Sequence, residues 1–183
     1  VFAVKGGRFI NTKNVATLSL EEHYQKGVEA LKARDWDEAV HQFRTVTVSF
    51  EGATLALEAH YYLAVALYEQ GDLDTANGIF SEYLKRSNSP AHFEDVYRYK
   101  LDIALKLAAG ASCHLFGYES LPKVFSGRDL ALDIFNEVAS AFPNHDLAAS
   151  ALIGAAELLY DQGDLDRSIE TYQSAIRRFP GSS

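Results

Sequence analysis

The chain has 183 residues, 48% hydrophobic and 23% charged, and its 17 basic against 25 acidic side chains leave a net charge of −8. That is enough apolar material for one core or a short repeat array, while the acidic balance argues against a nucleic-acid partner and gives no pull toward anionic lipid. A single cysteine rules out an internal disulfide, and no apolar run nears the ~18 residues of a membrane-spanning helix.

In chain order, residues 1–18 stand apart as an N-terminal arm. Val1 to Lys5 and Arg8 to Ile10 flank Gly6-Gly7, a modest hairpin signal. The arm is read either as a loosely docked tail or as a short extended segment that packs on the first helices or on a partner. The chain starts at Val1 and has no Met, which points to a natural start upstream.

Ser19 with Glu22 forms a capping box and opens a helix running to about Ala33. Asp35 with Glu38 opens the next, to about Ser49, closed by Gly52. Helices come next over about 54–70 and 73–86. Ser89-Pro90 predicts another start, with Pro in the first turn where its missing N–H costs nothing, and a helix over about 92–110 ended by Gly110. Residues 111–127 lack a helical period yet carry Leu115, Phe116, Tyr118, Leu121, Val124 and Phe125, so they are read as an ordered insertion folded back on the helices. Ser126 with Asp129 is read as the cap of a helix to about Ala141, and two more helices cover about 146–161 and 166–178. The last ends in Pro180-Gly181-Ser182-Ser183 with no polar terminal cap, so further chain or a partner is expected there.

Two stretches are nearly the same. Leu67-Tyr68-Glu69-Gln70-Gly71-Asp72-Leu73-Asp74 returns as Leu159-Tyr160-Asp161-Gln162-Gly163-Asp164-Leu165-Asp166. Each Gly suits the left-handed residue after a helix, and each Asp suits the cap of the next. A small residue followed four positions later by an aromatic recurs at Ala39/Phe43, Ala76/Phe80, Ala131/Phe135 and Ser168/Tyr172. Gly27 and Ala64 are matching small residues, and His23 and His60 occupy equivalent positions. The predicted core holds Phe43, Phe80, Phe135 and Tyr172.

This grammar resembles the tetratricopeptide repeat. The resemblance implies an all-α, right-handed superhelical solenoid of four helical hairpins over residues 19–183, with the insertion 111–127 inside the third. It also implies that the first helix of each hairpin lines a concave face. Tyr24, Glu58, Tyr61, Tyr68, Glu69, Tyr97 and Arg98 then become the candidate partner-binding residues, since tyrosine combines large contact area with few rotamers. The opposite reading gives Tyr68 and Tyr160 to the seam between helices. Chaperone-linked members grip a C-terminal carboxylate with Lys and Asn; Tyr24, Val28, Tyr61 and Val65 stand there instead.

Catalytic chemistry is not expected. Six histidines include no zinc-type i, i+4 pair with an intervening Glu, and Cys113-His114 reads as a buried inert thiol beside a histidine. No cofactor and no metal are anticipated.

A narrower resemblance is to the BamD family of outer-membrane β-barrel assembly lipoproteins. It rests on the repeat spacing near 37 residues, on Leu115-Phe116-Gly117-Tyr118-Glu119 inside the insertion, on Asp95 to Lys100, and on Phe142-Pro143-Asn144. It implies a non-enzymatic periplasmic scaffold that binds the barrel-assembly core subunit and unfolded outer-membrane protein segments. Membrane attachment would run only through an N-terminal lipid anchor that this chain lacks. The family usually has five repeats, against four here. The alternatives are another envelope adaptor, resembling the Tol-Pal cell-division type, or a cytoplasmic protein-protein scaffold.

Overall fold

The computed structural model describes residues 2–5, 8–11, 15–114 and 121–180, with the backbone alone for the first eight of these. Among the described residues there are eight α-helices and four short strands. The chain divides into two compact units, Val1–Ala91 and His92–Ser183.

The first unit opens with an antiparallel pair, β1 (Phe2–Lys5) and β2 (Arg8–Asn11), with Phe2 opposite Asn11 and Lys5 opposite Arg8. The hairpin signal around Gly6-Gly7 is therefore met in the backbone. Two helical hairpins come next, α1 (Leu20–Ala33) with α2 (Trp36–Ser49) and α3 (Thr54–Glu69) with α4 (Leu73–Arg86). Both halves of the Ser19–Glu22 capping box are present. Asp35 accepts from the Glu38 N–H, as expected.

The second unit holds α5 (Phe93–Ala108), β3 (Ser112–His114), β4 (Lys123–Ser126), α6 (Arg128–Ala141), α7 (Asp146–Asp161) and α8 (Leu165–Arg178). Three starts differ from expectation. Pro90 lies in the connection before α5, whose N-cap is His92; Pro restricts Ser89 to extended backbone, which delays the helix rather than starting it. Ser126 ends β4, and Gly127 is the N-cap of α6, with no side-chain cap hydrogen bond. Asp164 does cap α8 through the Arg167 N–H, but Asp72 makes no such bond to α4.

The repeated Gln-Gly-Asp turn is the same object twice. The Asp72 N–H donates to the Leu67 carbonyl and the Gly71 N–H to that of Tyr68; Asp164 and Gly163 do the same to Leu159 and Tyr160. This is the Schellman arrangement, which needs a left-handed residue after the helix. Gly71 and Gly163 supply it, both at φ +81°.

The hairpins close around the predicted aromatics. Phe43, Phe80 and Phe135 are fully buried. Tyr172, expected with them, is only half-buried, because no described helix packs over that side of α8. Small residues permit the approach: a Cβ on Gly27 would lie 2.8 Å from the Phe43 ring, and one on Gly154 2.7 Å from the Phe135 ring. Within each unit the packing is thus helix against helix in sequence order, and the described residues are all-α apart from the two strand pairs.

The insertion is partly a β-hairpin. β3 pairs antiparallel with β4, Ser112 opposite Ser126 and Cys113 opposite Phe125, with a bulge at Cys113/His114. Cys113 and His114 are buried, as expected for the thiol, while Val124 and Phe125 are exposed. The expected packing of Leu115, Phe116 and Tyr118 lies outside the described residues.

Candidate functional site

The seven candidate side chains fall into two groups, one in each unit. In the first unit, Tyr24 sits on α1 with one side of its ring half-covered by Phe43, at 5.8 Å edge to face, and by Tyr62, at 6.2 Å. Burial raises the Tyr24 hydroxyl above its ordinary pKa, and Tyr62 and Glu58 push it further the same way. Glu58, on α3, is thus near enough to the Tyr24 hydroxyl to act on it electrostatically. Glu58 and Tyr68 are half-buried and Glu69 is exposed. At positions 58, 61, 65, 68 and 69 these residues share one face of α3.

Tyr61 belongs to that stripe by spacing but is only 9% exposed. Its ring lies in the seam between α3 and α4, 6.3 Å from Phe80 and 5.8 Å from Tyr83. The neighbouring Tyr62 stacks on Phe43 at 5.6 Å and joins Tyr24 to the core. Repeat spacing favours Tyr61 and passes over Tyr62. The adjacent pair is the signal that could have found it, since two consecutive rings on a helix must face different neighbours.

In the second unit, Tyr97 is almost wholly buried. It packs against Phe93 at 5.0 Å and Phe142 at 5.3 Å. Burial and then Glu137 raise its hydroxyl pKa. Arg98 is exposed and tied to Glu94 by a 2.5 Å hydrogen bond, which holds the Glu94 carboxyl below its usual range. Phe93, Phe142 and His145 form the rest of this cluster, and repeat spacing does not mark them as site residues.

The equivalent histidines are both internal. His23 accepts from the Thr17 and Leu18 N–H groups at Nε2, and its Nδ1 lies 2.5 Å from the Gln42 Oε1. Gln42 in turn donates to Glu38. The ring therefore anchors the chain entering α1. His60 Nδ1 donates to the Ala56 carbonyl at 2.7 Å, and burial depresses its pKa.

The first group offers contact surface: the half-exposed rings of Tyr24 and Tyr68 with the carboxylates of Glu58 and Glu69, on two neighbouring helices. A family model, the tetratricopeptide repeat, matches residues 24–91 and 126–183. The chain belongs to the tetratricopeptide-repeat family. No curated protein matches it. The two matched stretches flank α5 and most of the insertion, and they contain all four small-then-aromatic signatures. Tetratricopeptide repeats are protein–protein interaction scaffolds, and that is the role this architecture carries.

Proposed function

We propose that this protein is a non-enzymatic periplasmic scaffold of outer-membrane β-barrel assembly, which holds a core assembly subunit and extended segments of unfolded barrel proteins. The observation that carries the capture role is the shared face of α1 and α3. Tyr24, Glu58, Tyr68 and Glu69 stand there partly open, while His23, Gly27 and Ala30 of α1 and Ala59, Leu63 and Leu67 of α3 are buried. A terminal barrel strand alternates aromatic with polar residues. Its rings would lie against Tyr24 and Tyr68, and its backbone N–H groups would meet the carboxylates. Tyr61 serves from beneath, by fixing the backbone on which these rings stand. In the second unit, Arg98 and the edge of the Tyr97–Phe93 cluster form a separate contact surface for the same class of partner.

The barrel-assembly context is supported by the spacing of the repeats, the placing of the insertion, and Phe142-Pro143-Asn144 after α6. Ordering an unfolded ligand costs entropy, so affinity will be modest. The test is fluorescence anisotropy of a labelled barrel-strand peptide against the protein and a Tyr24→Ala, Tyr68→Ala variant of unchanged helicity. Binding that the variant weakens at least about ten-fold, a loss of ~1.4 kcal/mol, and that a scrambled peptide lacks, supports the reading. Equal binding of the scrambled peptide points to a general scaffold. Unchanged binding by the variant removes this face as the site.

A further inference from the structure

At four successive amides the chain entering α1 is held by a side chain. The Ala16 N–H donates to Ser49 Oγ at 3.1 Å, those of Thr17 and Leu18 both donate to His23 Nε2 at 3.2 Å, and that of Ser19 donates to Glu22 Oε2 at 2.9 Å. The middle two depend on one ring, and that ring is buried. Its neighbours assign its proton. A carboxylate only accepts, so Gln42 turns its Nε2 toward Glu38, at 2.7 Å. Gln42 Oε1 is then the acceptor beside His23 Nδ1, at 2.5 Å, and the ring donates there. A neutral imidazole has one N–H, so Nε2 keeps its lone pair for Thr17 and Leu18. A proton on Nε2 removes that acceptor and sets three N–H groups against one another.

We propose that residues 16–18 are a strap that neutral His23 holds against the first helical hairpin and that a proton on Nε2 releases. The charged groups that meet the ring or its bonded partners are Glu22, which couples to His23 and to Lys26 on α1, and Glu38, which holds Gln42 on α2. The strap itself carries no charge. Both carboxylates favour uptake of the proton, and the two strap N–H groups oppose it while they are seated. Proton and strap therefore compete for one lone pair, and each weakens the hold of the other. The sign follows: the strap is seated while the ring is neutral and is lost as pH falls. The flanking clamps respond differently. The Ser19 N–H, and after it the Ser19 hydroxyl, hold the Glu22 carboxyl below its usual range, so α1 keeps its capping box in mild acid. The Ala16 bond to Ser49 is one neutral hydrogen bond, left alone against the entropy of ordering the segment. Release is thus local: the strap lifts and the helix behind it stays.

The test is NMR of the 15N-labelled full chain, titrated from about pH 8 to about pH 5, the range in which histidine changes charge. Long-range ring correlations should place the His23 proton on Nδ1 at the upper end. As the ring takes up its second proton, the Thr17 and Leu18 amide resonances should move with the same midpoint. Their exchange protection should fall by up to about ten-fold per pH unit, while the amides of α1 keep theirs. In His23→Gln the side-chain amide reaches toward the Nε2 position and does not titrate. That variant should keep helicity by circular dichroism and lose the response; if it fails to fold, the titration of the unaltered chain decides alone. A ring proton on Nε2 at pH 8 overturns the proposal. So does a His23 titration that leaves both amides where they are, a ring that stays neutral until the helices themselves unfold, or a folded His23→Gln protein that still responds.

Discussion

Lys100 is the residue whose place is least expected from its chemistry. Its side chain is fully buried, and its ammonium lies 3.0 Å from Glu137 on α6. Taking a lysine out of water is costly, and the attraction of the carboxylate roughly offsets it. Removing that carboxylate withdraws the charge that offsets the burial. Glu137→Ala is therefore expected to destabilise by about 3–5 kcal/mol, whereas Lys100→Met, of similar volume, should be near neutral or stabilising. Denaturant unfolding of the two variants checks the asymmetry. His60 gives a pH test. Burial holds its folded pKa below the ordinary value, so as pH falls the unfolded chain takes the proton first. Stability from this group is complete above about pH 6.5 and declines as pH drops toward the folded value, by at most ~1.4 kcal/mol per pH unit. Replacement by Asn, which can still donate to the Ala56 carbonyl, should flatten the unfolding curve just below pH 6.5; an unaltered slope would contradict the assignment. Neither residue is legible in the sequence. Lys100 reads as surface by composition, and only the turn that brings α6 beneath α5 makes it internal.

At the scale of elements, helices and their stops follow closely from the sequence. Gln-Gly-Asp dictates a Schellman stop wherever it appears, and Ser19 with Glu22 dictates a start, because both are local hydrogen-bond chemistry. The start of α5 escapes such reasoning because Ser89-Pro90 imitates a start signal. Phe93 is placed as the first residue by its packing on Tyr97 and Phe142, a tertiary cause. The β3–β4 pair escapes for the same kind of reason: Lys123 to Ser126 is short, fully exposed and without an alternating buried face. Glycine separates two effects here. Gly154→Ala must push the buried Phe135 ring aside and should cost about 1–3 kcal/mol. Gly78→Ala, on α4 with nothing within 4 Å of the added carbon, should stabilise by about 0.4–1 kcal/mol through the unfolded state. Thermal unfolding that moved both variants in the same direction would refute the packing at Gly154.

For the whole molecule, the four-fold small-then-aromatic rhythm carries the all-α repeat class, because stacking imposes it on every hairpin. The same rhythm does not say which rings face solvent. Tyr24 and Tyr61 hold comparable places in their helices, yet Tyr61 is sealed by Phe80 and Tyr83 of the following helix, while Tyr24 stays half-open. Surface and support are thus different residues, and they should answer differently to substitution. Phe80→Ala is expected to cost about 3–5 kcal/mol as a large cavity, and Tyr61→Ala should lose stability and binding together. Tyr24→Ala should lose binding with little change in stability. The acidic fringe of Glu58 and Glu69 should select against acidic peptides, an effect that fades as salt rises above about 0.15 M. The most direct measurement is amide hydrogen exchange of the full chain with and without a saturating barrel-strand peptide. Capture on the α1–α3 face predicts slowed exchange over residues 20–33 and 54–69. Protection confined to residues 165–178, or absent from every helix, would contradict it.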